Sequence, residues 1–389
     1  MSKDVYLDAP NIGELEKEFL CRAVDSGFVS TIGPFVEEFE RQFSRYLAVD
    51  RAVSVQSGTA SLHLALHELG IGPGDEVIVP ALTFIATVNP VSYVGATPVF
   101  VDVDRDTWTI DPPGIENAVT ERTRAIIPVH LFGNPCAMDA IMAIARRHNL
   151  FVIEDATESL GATFRNRLTG TIGDFGCFSF NGNKIITTGG GGMVVGRVLD
   201  RLAHIKFLVN QGRDESNGYF HPEIGFNYRM TNIEAALGLA QLVRLDTFLG
   251  QRKKLNQCYR NEFDGTDLLR LQGEHLNGTS ACWLTCGTVA AEIDIPSLQS
   301  ALREQRIQTR RVFLPLTEQP PYKKFVRIDC PTSREIYRQG ICLPSSTLNG
   351  HGDISGVCEA IRKHAMSRGP RRQTGKLYAT AANGAGCQL

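Results

Sequence analysis

Residues 174–193 read DFGCFSFNGNKIITTGGGGM, and the order of their parts decides the fold. The apolar run 175–180 predicts a buried strand. A small, neutral, glycine-rich turn follows it and carries a single charge, Lys184. The short run 193–195 predicts the next strand. Working upstream, the segments 52–55, 76–79, 98–103, 125–129 and 151–154 are apolar and often β-branched. Helical patterns at 60–69 and 137–148 separate some of them, and another at 201–210 follows the last. Strands apolar on both faces belong to sheets covered on both sides. Alternation of strand and helix makes that sheet mostly parallel, in an α/β fold. Ligands of such folds bind beyond the carboxyl ends of the strands.

Downstream, the pattern predicts a long helix over 231–249. A strand at 286–291 and a helix at 296–305 come next, with Pro296 in the first turn, where a missing N–H is harmless. Residues 306–316 read as extended and basic, and 353–363 as a last helix. The expected organisation is a large domain over 1–245 and a smaller α/β domain over 246–365. The polar, Gly- and Arg-rich segment 366–389 is expected to be a mobile tail.

With 389 residues the chain is long enough for such a pair of domains. A net charge of −2 creates no global field for nucleic acid or an anionic membrane, so any anionic ligand needs local donors. Ten cysteines without a CxxC pair suggest reduced thiols in a cytoplasm. The charged opening MSKDVYLDAP predicts no secretory leader. No apolar run of about 18 residues predicts a membrane span.

Lys184 has the setting of a nucleophilic amine, in which burial favours the neutral form that attacks an aldehyde. A surface lysine before a glycine hairpin fits the same pattern. Ser179 lies five residues earlier, where its hydroxyl can reach a phosphate. The run 189–192 lacks the strand–GxGxxG–helix setting of a dinucleotide loop. In 151–161, FVIEDATESLG, Asp155 ends a strand. A carboxylate there either pairs with a protonated pyridine nitrogen or caps the following segment. In 57–70, SGTASLHLALHELG, a strand leads through Ser57, Gly58 and Thr59 into a helix, which is an anion site or a plain N-cap. His63 and His67 have zinc-like i, i+4 spacing but no obvious third ligand, and read as helix-face residues. Phe84, past the strand 76–79, is a core residue or a ring that stacks on a flat heterocycle. Jointly these positions supply a phosphate cradle, a stacking ring, a pyridine carboxylate and a lysine. That is the set pyridoxal 5'-phosphate (PLP) requires, and no metal site is expected.

At these positions the chain resembles the nucleotide-sugar aminotransferases of the DegT/StrS family. The matching pieces are QSGTASLHLAL from Gln56, PALTFIATVNPV from Pro80, GATPVFVDVD from Gly95, IPVHLFGNP from Ile127, VIEDATESLGA from Val152, FSFNGNKIITTGGGGM from Phe178 and GFNYRMTNIEAALGLAQL from Gly225. NGNKIITTGGGGM looks most like the aminotransferases of the bacillosamine and legionaminic acid pathways. The resemblance implies a fold-type I (aspartate aminotransferase-like) PLP enzyme acting as a homodimer. It implies Lys184 as the Schiff-base lysine, Asp155 as the pyridine partner, Gly58, Thr59 and Ser179 on the phosphate, and Phe84 on the ring. Asn227 would reach the phosphate of the neighbouring subunit's cofactor. Glu158 stands where many relatives carry Gln near the ring hydroxyl. A subgroup that replaces the lysine consists of dehydratases, which Lys184 argues against.

The implied reaction takes an amino group from L-glutamate and gives it to a nucleotide-linked keto sugar. A UDP-linked 4-keto-6-deoxy 2-acetamido hexose, aminated at carbon 4, is the expected acceptor. Arg229, Arg310 and Arg311 are candidates for the substrates' negative charge; a solvated face explains them equally well. The competing readings are a fold-type I enzyme acting on amino acids and a non-catalytic regulator on the same scaffold.

Overall fold

The computed structural model describes residues 4–367. The expected tail therefore lies almost entirely outside the described residues. The central sheet has seven strands: β1 (Ala52–Val55), β2 (Glu76–Pro80), β3 (Thr97–Val101), β4 (Thr123–Ile126), β5 (Phe151–Asp155), β6 (Phe175–Ser179) and β7 (Gly192–Gly196). Their order is β1-β7-β6-β5-β4-β2-β3. β2 pairs in parallel with β3 and β4, β4 with β5, and β5 with β6. β7 runs antiparallel to both β6 and β1. β1 is thereby aligned with β6, and the loops after β1, β5 and β6 leave the sheet at one end.

Side chains alternate across these strands. Phe178, Met193 and Val195 pack on one face with Phe39, Phe43 and Phe180. Val53, Val55, Cys177 and Val194 pack on the other with Leu62, Leu66 and Ile205. This double burial accounts for the uniformly apolar strands.

A second sheet holds β8 (Leu269–Leu271), β9 (Thr285–Val289), β10 (Arg310–Arg311) and β11 (Gly340–Leu343), all antiparallel, in the order β8-β9-β11-β10. Its own core joins Leu269, Val289 and Ile341 to Leu298, Leu302, Ile354 and Ile361 of the helices Ile295–Glu304 and His351–Met366. The segment 306–316 is less regular than its sequence suggests: only Arg310–Arg311 pairs as a strand, and a 3₁₀ turn begins at Leu316.

The long helix expected over 231–249 is two helices. Thr231 caps the first, Asn232–Val243, in a capping box with Glu234. The chain turns at Arg244 (φ −96°, ψ −1°), and the second helix runs Leu245–Phe263. Neither Gly nor Pro marks the break. Arg244 is held there from outside the helix, by Glu16 Oε1 at 2.8 Å and the Asn11 carbonyl at 3.2 Å.

Candidate active site

The aligned strand ends bring together residues far apart in sequence. Gly58, Thr59, Phe84, Asp155, Glu158, Ser179, Lys184 and Arg310 line one pocket of about 300 Å³. A larger groove of about 710 Å³ lies elsewhere on the surface. There Arg105 is paired with Glu335, and Arg270 with Asp106, each at 2.6 Å, so two of its cations are already satisfied.

Beyond β1 the Ser57 hydroxyl accepts from the Ala60 N–H at 3.1 Å and caps the helix Gly58–Glu68. The first-turn N–H groups of Gly58 and Thr59 have no intrahelical acceptor. A Cβ on Gly58 would lie 2.8 Å from Ser179 Cβ and 2.9 Å from Thr157 Cγ2. Only glycine lets the helix start press this closely on the end of β6. The result is a concave patch of N–H and hydroxyl donors at a helix N-terminus, suited to a phosphate.

Asp155 is buried at the end of β5. Its Oδ2 accepts from Thr87 Oγ1 at 2.7 Å. Its Oδ1 accepts from Thr157 N at 3.2 Å and Thr157 Oγ1 at 2.7 Å. The carboxylate therefore does cap the local turn, while also lining the pocket.

Glu154, the preceding residue, is wholly buried. It accepts from the N–H groups of Gly170, Ile172 and Gly173 at 2.6–2.8 Å. His130 Nε2 is 3.0 Å from its Oε2. The Cys136 N–H points at His130 Nδ1, so Nε2 is the nitrogen that donates. Burial works to raise the Glu154 pKa, but the His130 hydrogen bond and the backbone donors outweigh it and hold it below the usual carboxylate range. This knot ties β5 to the turn Leu131–Gly133.

In that turn Phe132 takes a left-handed conformation (φ 58°), uncommon for a bulky residue. Its N–H donates to Glu158 Oε2 at 2.9 Å. Glu158 Oε1 lies 3.6 Å from Lys184 Nζ. Burial pushes the Glu158 carboxyl above the usual range, with Lys184 and the Phe132 N–H pulling against it.

Lys184 is not a surface loop residue. Its side chain is 13% exposed, and Nζ sits 4.1 Å from the centroid of the Trp283 ring. Trp283 Nε1 donates to the Asn183 carbonyl at 2.7 Å. Phe84 keeps 52% of its surface exposed at the pocket and meets Phe313 with centroids 5.5 Å apart.

Two residues expected at the substrates, Arg229 and Arg311, lie elsewhere, and Asn227, expected at a neighbouring subunit's cofactor, lies outside this pocket too. Asn227 is exposed and bridges Asn210. Arg229 lines a different pocket with Lys206, Arg213 and Met230. Arg311 turns away and donates to the Tyr337 carbonyl at 2.7 Å. The register gives the reason for separating Arg310 from Arg311. Arg310 pairs with Cys342 and Arg311 with Ile341, residues that belong to opposite faces of the second sheet. His63 and His67 pack edge-on against Phe226, and His63 Nδ1 is 3.2 Å from the Tyr228 hydroxyl.

The aminotransferase-family model described as DegT/DnrJ/EryC1/StrS matches residues 10–362. The chain belongs to this family. It is 42% identical over 361 residues to a GDP-perosamine synthase of Caulobacter vibrioides, covering 92% of this chain and 97% of that one. A GDP-perosamine synthase of Escherichia coli O157:H7 is 39% identical, with 91% and 96% covered. Among solved structures, Spr1654 from Streptococcus pneumoniae in its PLP form superposes with a TM-score of 0.88 at 28% identity, over 94% of this chain and 99% of that one.

This DegT-family chain is thus a PLP-dependent sugar aminotransferase with an α/β fold. The residues present fit the cofactor. The donor patch at Gly58, Thr59 and Ser179 suits its phosphate, Asp155 its pyridine nitrogen and Lys184 its aldehyde. Trp283, Thr87, Thr157 and Asn183 complete the pocket and were not anticipated. Thr87, Thr157 and Asn183 fall inside quoted segments, PALTFIATVNPV, VIEDATESLGA and FSFNGNKIITTGGGGM, whereas Trp283 lies outside all of them. Among the described residues no helix is long and apolar enough to cross a membrane.

Proposed function

We propose that the enzyme moves the amino group of L-glutamate onto a keto sugar carried by a nucleotide diphosphate, with Lys184 and Asp155 as the catalytic residues. The supporting observation is their convergence, with the donor patch at Gly58, in one pocket. PLP, when bound, supplies an electron sink that lets an amino group be exchanged for a carbonyl. The chain's own residues do the rest. Gly58, Thr59 and Ser179 hold a phosphate, and Phe84 and Asp155 hold the ring in place. Lys184 Nζ carries a proton on and off the reacting carbon. The Trp283 face supports that ammonium, and Glu158 offers it a buried carboxylate.

Two relatives are named for a GDP-linked product, which favours GDP over the UDP-linked 2-acetamido hexose expected from the NGNKIITTGGGGM segment. Amination at carbon 4 remains part of the proposal. A homodimer with shared sites is supported by the exposed apolar side chains Phe220 and Ile224, close to Asn227 in sequence, and Ile32, in the groove that Arg229 lines.

The test combines glutamate with UDP-, GDP- and dTDP-linked keto sugars and follows the aminated product by mass. Release of 2-oxoglutarate with transfer to none of them would refute the sugar-nucleotide reading. In parallel, borohydride reduction with PLP should add cofactor mass to the peptide holding Lys184. Lys184→Ala should show neither that mass nor turnover.

A further inference from the structure

The first described residues form a strap across the pocket's rim. Val5 pairs with the second domain: its N–H donates to Arg306 O, and its carbonyl accepts from Gln308 N, each at 3.0 Å. Leu7 O accepts from Ser345 N at 2.7 Å. Asp8 comes next. Its Oδ2 accepts from Asn183 Nδ2 at 3.1 Å, beside Lys184, and lies 3.6 Å from Arg310 Nη1.

Arg310 is short of partners. It stands over the rings of Trp283 and Phe313, with its guanidinium carbon 5.9 and 5.7 Å from their centroids. Its Nε and Nη2 are buried with no hydrogen-bond acceptor among the described residues. Desolvated N–H groups of a cation that lack acceptors are costly. The nearby carboxylate of Glu158 is taken up by the Phe132 N–H and Lys184. Asp8 is the paired carboxylate, and 3.6 Å is too long for a hydrogen bond. An anion entering the pocket meets an under-satisfied guanidinium whose present counter-ion is loosely held.

We propose that Asp8 is the displaceable internal counter-ion of Arg310, and that it sets how tightly the pocket takes the anionic groups of its substrates. The chemistry is an oxyanion: a carboxylate of the amino donor or a phosphate of the nucleotide. This rests on the reading of the pocket as the substrate site. Asp8 is a positioning residue here, since it acts on the substrate through Arg310.

The experiment measures glutarate and GDP binding to the PLP-loaded enzyme by calorimetry, at low and high salt. Asp8→Asn removes the charge and keeps an oxygen for Asn183. It should tighten one probe by roughly two- to fivefold, as expected for losing a partly exposed competing pair. Whichever probe tightens identifies the source of the oxyanion. The gain should shrink as salt rises and vanish in an Arg310→Gln background. Asp8→Ala should act in the same direction. Weaker or unchanged binding of both probes in Asp8→Asn, with Arg310→Gln still weakening them, overturns the counter-ion role and leaves the substrate site standing. Wild-type enzyme that binds neither probe overturns both.

Discussion

Lys184 Nζ lies 4.1 Å from the ring centroid of Trp283, and the same indole donates through Nε1 to the carbonyl of Asn183. One side chain therefore supports the ammonium and also fixes the backbone that carries it. Phe132 stacks against the indole, with centroids 6.2 Å apart, so the indole cannot swing away freely. Trp283→Phe should keep an aromatic face and lose the hydrogen bond. The expected cost is about 1 kcal/mol of stability, with slower covalent capture of PLP by Lys184. Trp283→Ala opens a cavity and should cost about 3–5 kcal/mol. Chemical denaturation and the rate of borohydride-trappable labelling measure the two effects. Unchanged labelling in Trp283→Phe would reduce the indole to a packing residue.

Asp155 serves a cap and, by proposal, a pyridine nitrogen. Asp155→Asn separates the two. An Asn oxygen still accepts from Thr157, so the turn and the fold should survive. The charge is gone, and transamination should slow by roughly 10²-fold or more while PLP stays bound. A near-wild-type rate in the loaded variant would leave Asp155 as a cap alone.

These two residues show what the sequence made legible and why. Asp155, Lys184 and the Gly58 turn each follow a strand closely, so local pattern found them. Trp283 does not: it reaches Lys184 from about 100 residues downstream, and no spacing predicts such a contact. Asp8 meets Asn183 and Arg310 only because the N-terminal strap pairs with Arg306, Gln308 and Ser345. The break at Arg244 was hidden for a related reason, since its determinants, Asn11 and Glu16, lie some 230 residues away.

The buried Glu154 makes stability depend on pH. Its folded pKa is lowered, below an unfolded value of about 4.3. Its contribution is therefore fully present above the unfolded value and is lost as pH falls through the folded one. Glu154→Gln sets an amide N–H₂ against donors from Gly170, Ile172, Gly173 and His130. It should cost about 3 kcal/mol at neutral pH and flatten the acid limb of the stability curve. Denaturation midpoints between neutral pH and the acid limb check this; an acid limb of unchanged slope would assign the pH dependence to other carboxylates.

The pair Arg310 and Arg311 is adjacent in sequence and opposed in space. Arg310 stands at the pocket with two unsatisfied nitrogens. Arg311 donates to the Tyr337 carbonyl and lies 4.1 Å from that ring's centroid. The two alanine variants should therefore fail differently. Arg310→Ala should raise the KM for the substrate whose oxyanion it receives, with a small change in stability, because its buried N–H groups are already unpaired. Arg311→Ala should leave both KM values near wild type and cost roughly 1 kcal/mol of stability from the lost hydrogen bond and ring contact. Steady-state kinetics on each half-reaction, with melting curves for both variants, separate the cases. A rise in KM from Arg311→Ala equal to that from Arg310→Ala would mean that the strand Arg310–Arg311 reaches substrate by a path other than strand alternation, such as a shift of the second sheet on binding.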